Sequence, residues 1–178
     1  SVSYESVLIH FRKMNDFVQS LKGIPERWWL MPIAEGKWSP GEIIAHLIEW
    51  DRFLPKAAEP APARQDGAPR LGEADELNAR AARWAREEAS REEVLAAFHH
   101  TRTRLLKRLE SVPGTDRDAP FFIGNRSLTL TDYLKGLADH DEHHRKQIEA
   151  FLRTRDGSRN GPASDSREGF GCKLAQGL

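Results

Sequence analysis

The stretch Asp139-His-Asp-Glu-His-His-Arg-Lys-Gln147 decides how this 178-residue chain is read. It sits inside a longer pattern in which Leu130, Leu134, Leu137, His140, Asp141, His144, Ile148 and Phe151 recur at helical spacing. Residues so spaced share one face of a helix. His140 and His144 are four residues apart and leave the helix on its apolar side, whereas His143, about 100° further round, is expected to face outward. Thr129-Leu-Thr-Asp132 supplies an N-terminal cap, and the pattern reaches about Arg153.

Three more amphipathic patterns precede it. Over residues 3–22, Tyr4, Val7, Leu8, Phe11, Met14, Val18 and Leu21 form a stripe, with Gly23 as a stop. Ser39-Pro40-Gly41-Glu42 opens a second helix with a capping box and a first-turn proline. Ile43, His46, Leu47, Trp50, Phe53 and Leu54 lie on its apolar face, and Pro55 is expected to end it. Residues 55–72, rich in Pro, Ala and Gly, read as a long crossover, followed by a polar helical stretch at 73–89 anchored by Leu77 and Trp84. Ser90-Arg-Glu-Glu93 caps the third core helix, about 91–112, with Val94, Leu95, Phe98, Leu105, Leu106, Leu109 and Val112 inward. Phe121, Phe122 and the turn-like Gly124-Asn125 read as a loop, and no segment is rich in strands. The fold expected is all-α: a four-helix bundle with a long crossover between helices 2 and 3. The bundle domain covers residues 1–154, and the Gly-, Ser- and Arg-rich stretch 155–178 reads as a disordered or artificially appended tail.

Composition narrows the function. Hydrophobic residues are 39% and charged residues 30%, and 27 Lys and Arg balance 27 Asp and Glu. A nucleic-acid binder would show a basic surplus. The single cysteine, Cys172, forms no intrachain disulfide and no cysteine zinc site. No apolar run approaches a membrane span. With no signal-peptide pattern, a cytoplasmic protein is expected.

Two imidazoles on an apolar face need a reason. One buried histidine is usually a core residue bonded to a carbonyl, and a His-rich polar stretch is usually solvated. Here His46 points inward from the second helix, so three rings converge if the two helices are neighbours. Neutral imidazoles ligate zinc, nickel, iron or manganese, and three protein ligands leave positions for water or substrate. The sequence around His140 is no His-Glu-x-x-His protease motif, because Asp141 stands where the Glu base would. Glu49, Asp141 and Glu142 are the candidate proton acceptors. For Glu49 and Glu142 the plainer reading is a solvated helix residue, and Asp141 could instead orient a histidine. Trp50 and the Phe121–Phe122 loop could wall the pocket, while Trp28, Trp29 and Trp38 read as packing residues.

Trp38-Ser-Pro-Gly-Glu-Ile-Ile-Ala-His-Leu47, followed by His140-x-x-x-His144-x-x-Gln147-Ile148, resembles the DinB/YfiT-like superfamily over about residues 4–153. The resemblance implies helices running up-down-down-up, a divalent metal held by His46, His140 and His144, and a homodimer. It also implies a small-molecule substrate, with hydrolysis or transfer of a low-molecular-weight thiol as the reaction. A metal- or small-molecule-binding stress-response protein without turnover is the alternative, and so is a helical interaction module whose histidines are merely buried.

Overall fold

The computed structural model describes residues 3–57, 71–123 and 125–156, so the expected tail lies almost wholly outside the described residues. Four long helices dominate: α1 (Tyr4–Ser20), α3 (Pro40–Ala57), α5 (Arg91–Glu110) and α7 (Leu130–Arg155). Between them lie the single-turn α2 (Glu26–Trp29) and α6 (Gly114–Arg117), and α4 (Leu71–Arg83), which runs on through a π-helical turn at Trp84–Glu88.

The capping signals act where the sequence puts them. Ser3, Ser90 and Thr129 accept hydrogen bonds from the backbone N–H three residues on, opening α1, α5 and α7. At α3 the box is reciprocal: Glu42 N donates to Ser39 Oγ at 3.2 Å, and Ser39 N donates to Glu42 Oε1 at 3.0 Å. Arg86 clamps the same carboxylate at 2.8 Å, joining the start of α3 to the π turn.

Helix directions follow from the contacts. Tyr4 Oη donates to Leu109 O and Gln19 Nε2 to Leu95 O, so α1 and α5 are antiparallel. One apolar cluster gathers Tyr4 to Phe11, Trp50, Leu105 to Leu109 and Leu130 to Ala138. The other gathers Met14 to Leu21, Ile43 to Ile48, Val94 to Phe98 and Ile148. Thus α3 runs parallel to α5, and α7 parallel to α1, which is the up-down-down-up order. Helix α3 packs mainly on α5 and α4, and α7 mainly on α1. Between the two apolar halves lies a layer of buried polar side chains: His46, Asp51, Arg102, His140, Asp141, His144 and Gln147.

Four local expectations need correction. Helix α3 continues to Ala57, past Pro55; a proline in the last turn forgoes the bond to the carbonyl four residues back and crowds that carbonyl, which weakens the helix there without obliging it to stop. Helix α4 begins at Leu71, inside the stretch read as crossover. Among its described side chains, Ala74, Asn78, Ala81 and Ala82 are buried, with Ala85 in the π turn, whereas Leu77 and Trp84 are only half-buried. A small-residue face lets α4 lie close against α3. The Phe121 loop is a short hairpin, β1 (Phe121–Ile123) paired antiparallel with β2 (Arg126–Leu128). Its register pairs Ile123 with Arg126, and Gly124, half of the pair noticed in the sequence, lies outside the described residues.

Candidate metal centre

The polar layer has two parts, and the first is the histidine trio. Helix α3 presents His46 from its buried face, and α7 presents His140 and His144 one turn apart. His46 and His144 are fully buried, and His140 is 6% exposed. His140 Nε2 lies 3.2 Å from His46 Nε2 and 3.2 Å from His144 Nε2. One ligand nitrogen from each ring falls within 4.8 Å of the others.

Neighbouring amides fix which nitrogens carry hydrogen. Asn78 Oδ1, on α4, is 2.8 Å from His46 Nδ1, and Gln147 Oε1 is 2.8 Å from His144 Nδ1. An amide oxygen only accepts, so both Nδ1 atoms donate and both Nε2 atoms are left as lone pairs. Trp50 Nε1 also lies 3.2 Å from His46 Nδ1. Two donors cannot share one bond, so the shorter amide contact sets the tautomer and the indole is a packing neighbour. With both flanking rings pinned, a hydrogen on His140 Nε2 leaves at least one close nitrogen pair poorly satisfied.

Burial keeps the rings neutral. It lowers His46 from 6.5 to about 4, against the opposing pull of the Asn78 bond. His140 is held well below its usual range by burial and then by its His144 and His46 neighbours, and His144 by burial and then His46. Neutral imidazole is the ligating form. Tetrahedral sites with metal–nitrogen bonds of 2.0–2.1 Å have nitrogen–nitrogen edges of about 3.3 Å. The donor set therefore fits a divalent ion, with His46, His140 and His144 able to hold it.

Aromatic rings surround the trio. Trp38 stands 5.0 Å from His46 between ring centroids, and Trp50 stands 5.9 Å from His140. Trp38, read from the sequence as packing, thus touches the site. Phe121 is buried against Tyr133, and Phe122 is 65% exposed. His143 is half-buried beside the His144 ring, with burial and then Lys37 lowering its pKa.

The candidate proton acceptors are engaged elsewhere. Glu49 pairs with Arg52 and Glu142 with Arg145, both at the surface of the bundle. Asp141 is buried and accepts from Arg102 Nη1 at 2.9 Å, so it orients an arginine rather than a histidine. Burial pushes its carboxyl up, and the adjacent guanidinium opposes that. Asn78 had no role in the sequence reading, since an Asn among alanines carries little signal. Gln147 stood in the quoted motif without a role, and Arg102 could have been noticed as a polar residue on an otherwise apolar stripe.

The comparisons with known proteins bear on this layout. A model described as the DinB superfamily matches residues 12–148. A solved structure, YfiT from Bacillus subtilis, superposes with a TM-score of 0.66 at 18% identity, over 89% of this chain and 92% of that one. YfiT is described as a probable metal-dependent hydrolase with an unusual four-helix bundle topology. Among curated proteins, none matches.

Proposed function

This chain belongs to the DinB superfamily, and from that membership together with the three converging imidazoles we propose that it is a metal-dependent enzyme acting on a small molecule. The reaction is hydrolysis if water is the nucleophile, or S-transfer if a low-molecular-weight thiol is. The observation that carries the reading is the pair of Nδ1 bonds to Asn78 and Gln147. Those bonds hold two Nε2 lone pairs toward His140. Orienting ligands through a second ring of bonds is how protein metal sites are built.

A divalent ion bound there supplies Lewis-acid activation, which makes a water or thiol nucleophilic at neutral pH. The chain's own residues do the rest. The imidazoles stay neutral at physiological pH, and Trp38 and Trp50 limit water around them. The name YfiT carries supports the hydrolase arm by analogy. The near-complete burial of the trio favours a second reading, a bound ion that binds or sequesters without turnover.

Metal content of the purified protein tests the site: one equivalent is expected, lost in His46→Ala and in His144→Ala. Content unchanged by either substitution ends the proposal. Turnover is then measured with thiol–electrophile pairs and with ester and amide panels. Activity abolished by chelation supports the enzyme, and a metal-loaded protein silent on every panel supports the second reading. Zinc, nickel, iron and manganese all remain suitable ions, and a homodimer in the cytoplasm is the setting we propose.

A further inference from the structure

The second part of the polar layer is an ion cluster for which the histidine chemistry gives no use. Arg102 on α5 is 1% exposed. Its Nε and Nη2 donate to Asp51 at 2.7 and 3.0 Å. Its Nη1 and Nη2 donate to Asp141 at 2.9 and 3.3 Å, and Nη1 also reaches Phe11 O at 3.3 Å. These five contacts match the five N–H donors of a guanidinium. Phe11 and Phe98 stack against it at 4.9 and 4.8 Å.

The partners are distributed in a telling way. Asp51 stands five residues beyond His46 on α3, and Asp141 immediately follows His140 on α7. Because α3 packs mainly on α5 and α7 mainly on α1, the three ligands are split between two helix pairs. Arg102 bridges those pairs: it grips Asp51 within its own pair and reaches Asp141 and the Phe11 carbonyl in the other. A buried ion triad is a poor source of stability, because desolvation offsets most of its attraction, and its best-attested use is setting register.

We propose that the Asp51–Arg102–Asp141 cluster is the positioning element of the three-histidine centre, fixing α3 against α7 so that their imidazoles converge. The inference rests on the metal-binding reading above. Arg102 is a positioning residue that touches neither ion nor substrate. A one-residue drift of α7 would swing His140 and His144 by about 100°; an apolar interface tolerates such slips better than a five-bond fork does.

The test compares cobalt(II) binding by full-length wild type with two variants. Arg102→Lys keeps the charge but has three donors and no planar fork. The triple variant Asp51→Asn/Arg102→Met/Asp141→Asn removes all three charges together, so no carboxylate is left buried and unpaired. Metal-free thermal midpoints establish that each is folded. Expected are a tenfold or greater loss of cobalt affinity in both variants and an altered visible cobalt spectrum, with the metal-free fold retained. A folded variant with wild-type affinity and spectrum overturns the inference while leaving the site intact. Should the triple variant fail to fold, Arg102→Lys alone decides. A wild type that binds no cobalt would overturn the metal reading and this inference with it.

Discussion

His46 and His140 are 94 residues apart in the chain, and their Nε2 atoms stand 3.2 Å apart in the fold. Both rings are buried, and that proximity has consequences for ion binding, for pH and for the neighbours that aim them.

Zinc should stabilise the wild type and leave His144→Ala unmoved. At a hundredfold excess over its dissociation constant, a ligand specific to the native state adds about 2.7 kcal/mol. For a chain of this size that raises the thermal midpoint by roughly 5–10 °C. Differential scanning fluorimetry with and without zinc reads the shift, and an equal shift in His144→Ala would remove that histidine from the ligand set.

The amides that aim the rings should matter nearly as much as the rings. Asn78→Ala and Gln147→Ala each delete the acceptor for an Nδ1 hydrogen, freeing the ring to rotate or to change tautomer. Losing such a partner typically lowers metal affinity about 10- to 100-fold. Competition with a chromophoric chelator measures it, and unchanged affinity in both variants would show that the tautomer is set some other way.

Metal-free protein should lose stability as pH falls below the unfolded histidine value of 6.5. Above it, the three rings are neutral in both states and contribute no pH dependence. Below it, the unfolded chain takes up protons that the fold refuses, because burial holds His46 at about 4 and the other two well below 6.5. Three such groups give a slope of up to about 4 kcal/mol per pH unit, lessening as pH nears 4 and His46 protonates in place. Urea unfolding at pH 7.5, 6.0 and 5.0 tests this, and equal stability at all three would contradict the burial of neutral rings.

Gly41→Ala should destabilise the fold despite the better helix propensity of alanine. A Cβ there would stand 2.8 and 2.9 Å from the Trp29 indole and 3.0 Å from Leu30, and Trp29 is 2% exposed with little room to retreat. Overpacking costs about 1–3 kcal/mol, against at most about 1 kcal/mol gained from propensity. A midpoint lowered by a few degrees is expected; an increase would mean that Trp29 repacks freely.

The sequence was legible where one residue's chemistry dictates its neighbourhood. Ser39, Ser90 and Thr129 announce helix starts because an oxygen beside free N–H groups does the same thing in any fold. Residues such as Phe11 and Phe98 announce inward faces by period alone. The His pair on α7 and the lone His46 were likewise readable, since imidazoles stand out on apolar stripes. Reading failed where tertiary contact decides. Helix α4 buries alanines, which look like any helix surface, so Asn78 was invisible. Asp141 looked free to serve a histidine because its partner Arg102 lies 39 residues away on another helix. Pro55 looked like a stop because proline disfavours a helix interior, yet α3 continues to Ala57.

The parallel arrangement of α3 and α5 gives the stretch between them a task. Two helices pointing the same way cannot be joined by a tight turn, so the polypeptide must travel back along the bundle before α5 can begin. That return leg is α4, and it brings Asn78 to His46. A redesign that rewired the topology for a shorter connection would delete the return leg and, with it, the oxygen that decides which nitrogen of an imidazole is free to ligate.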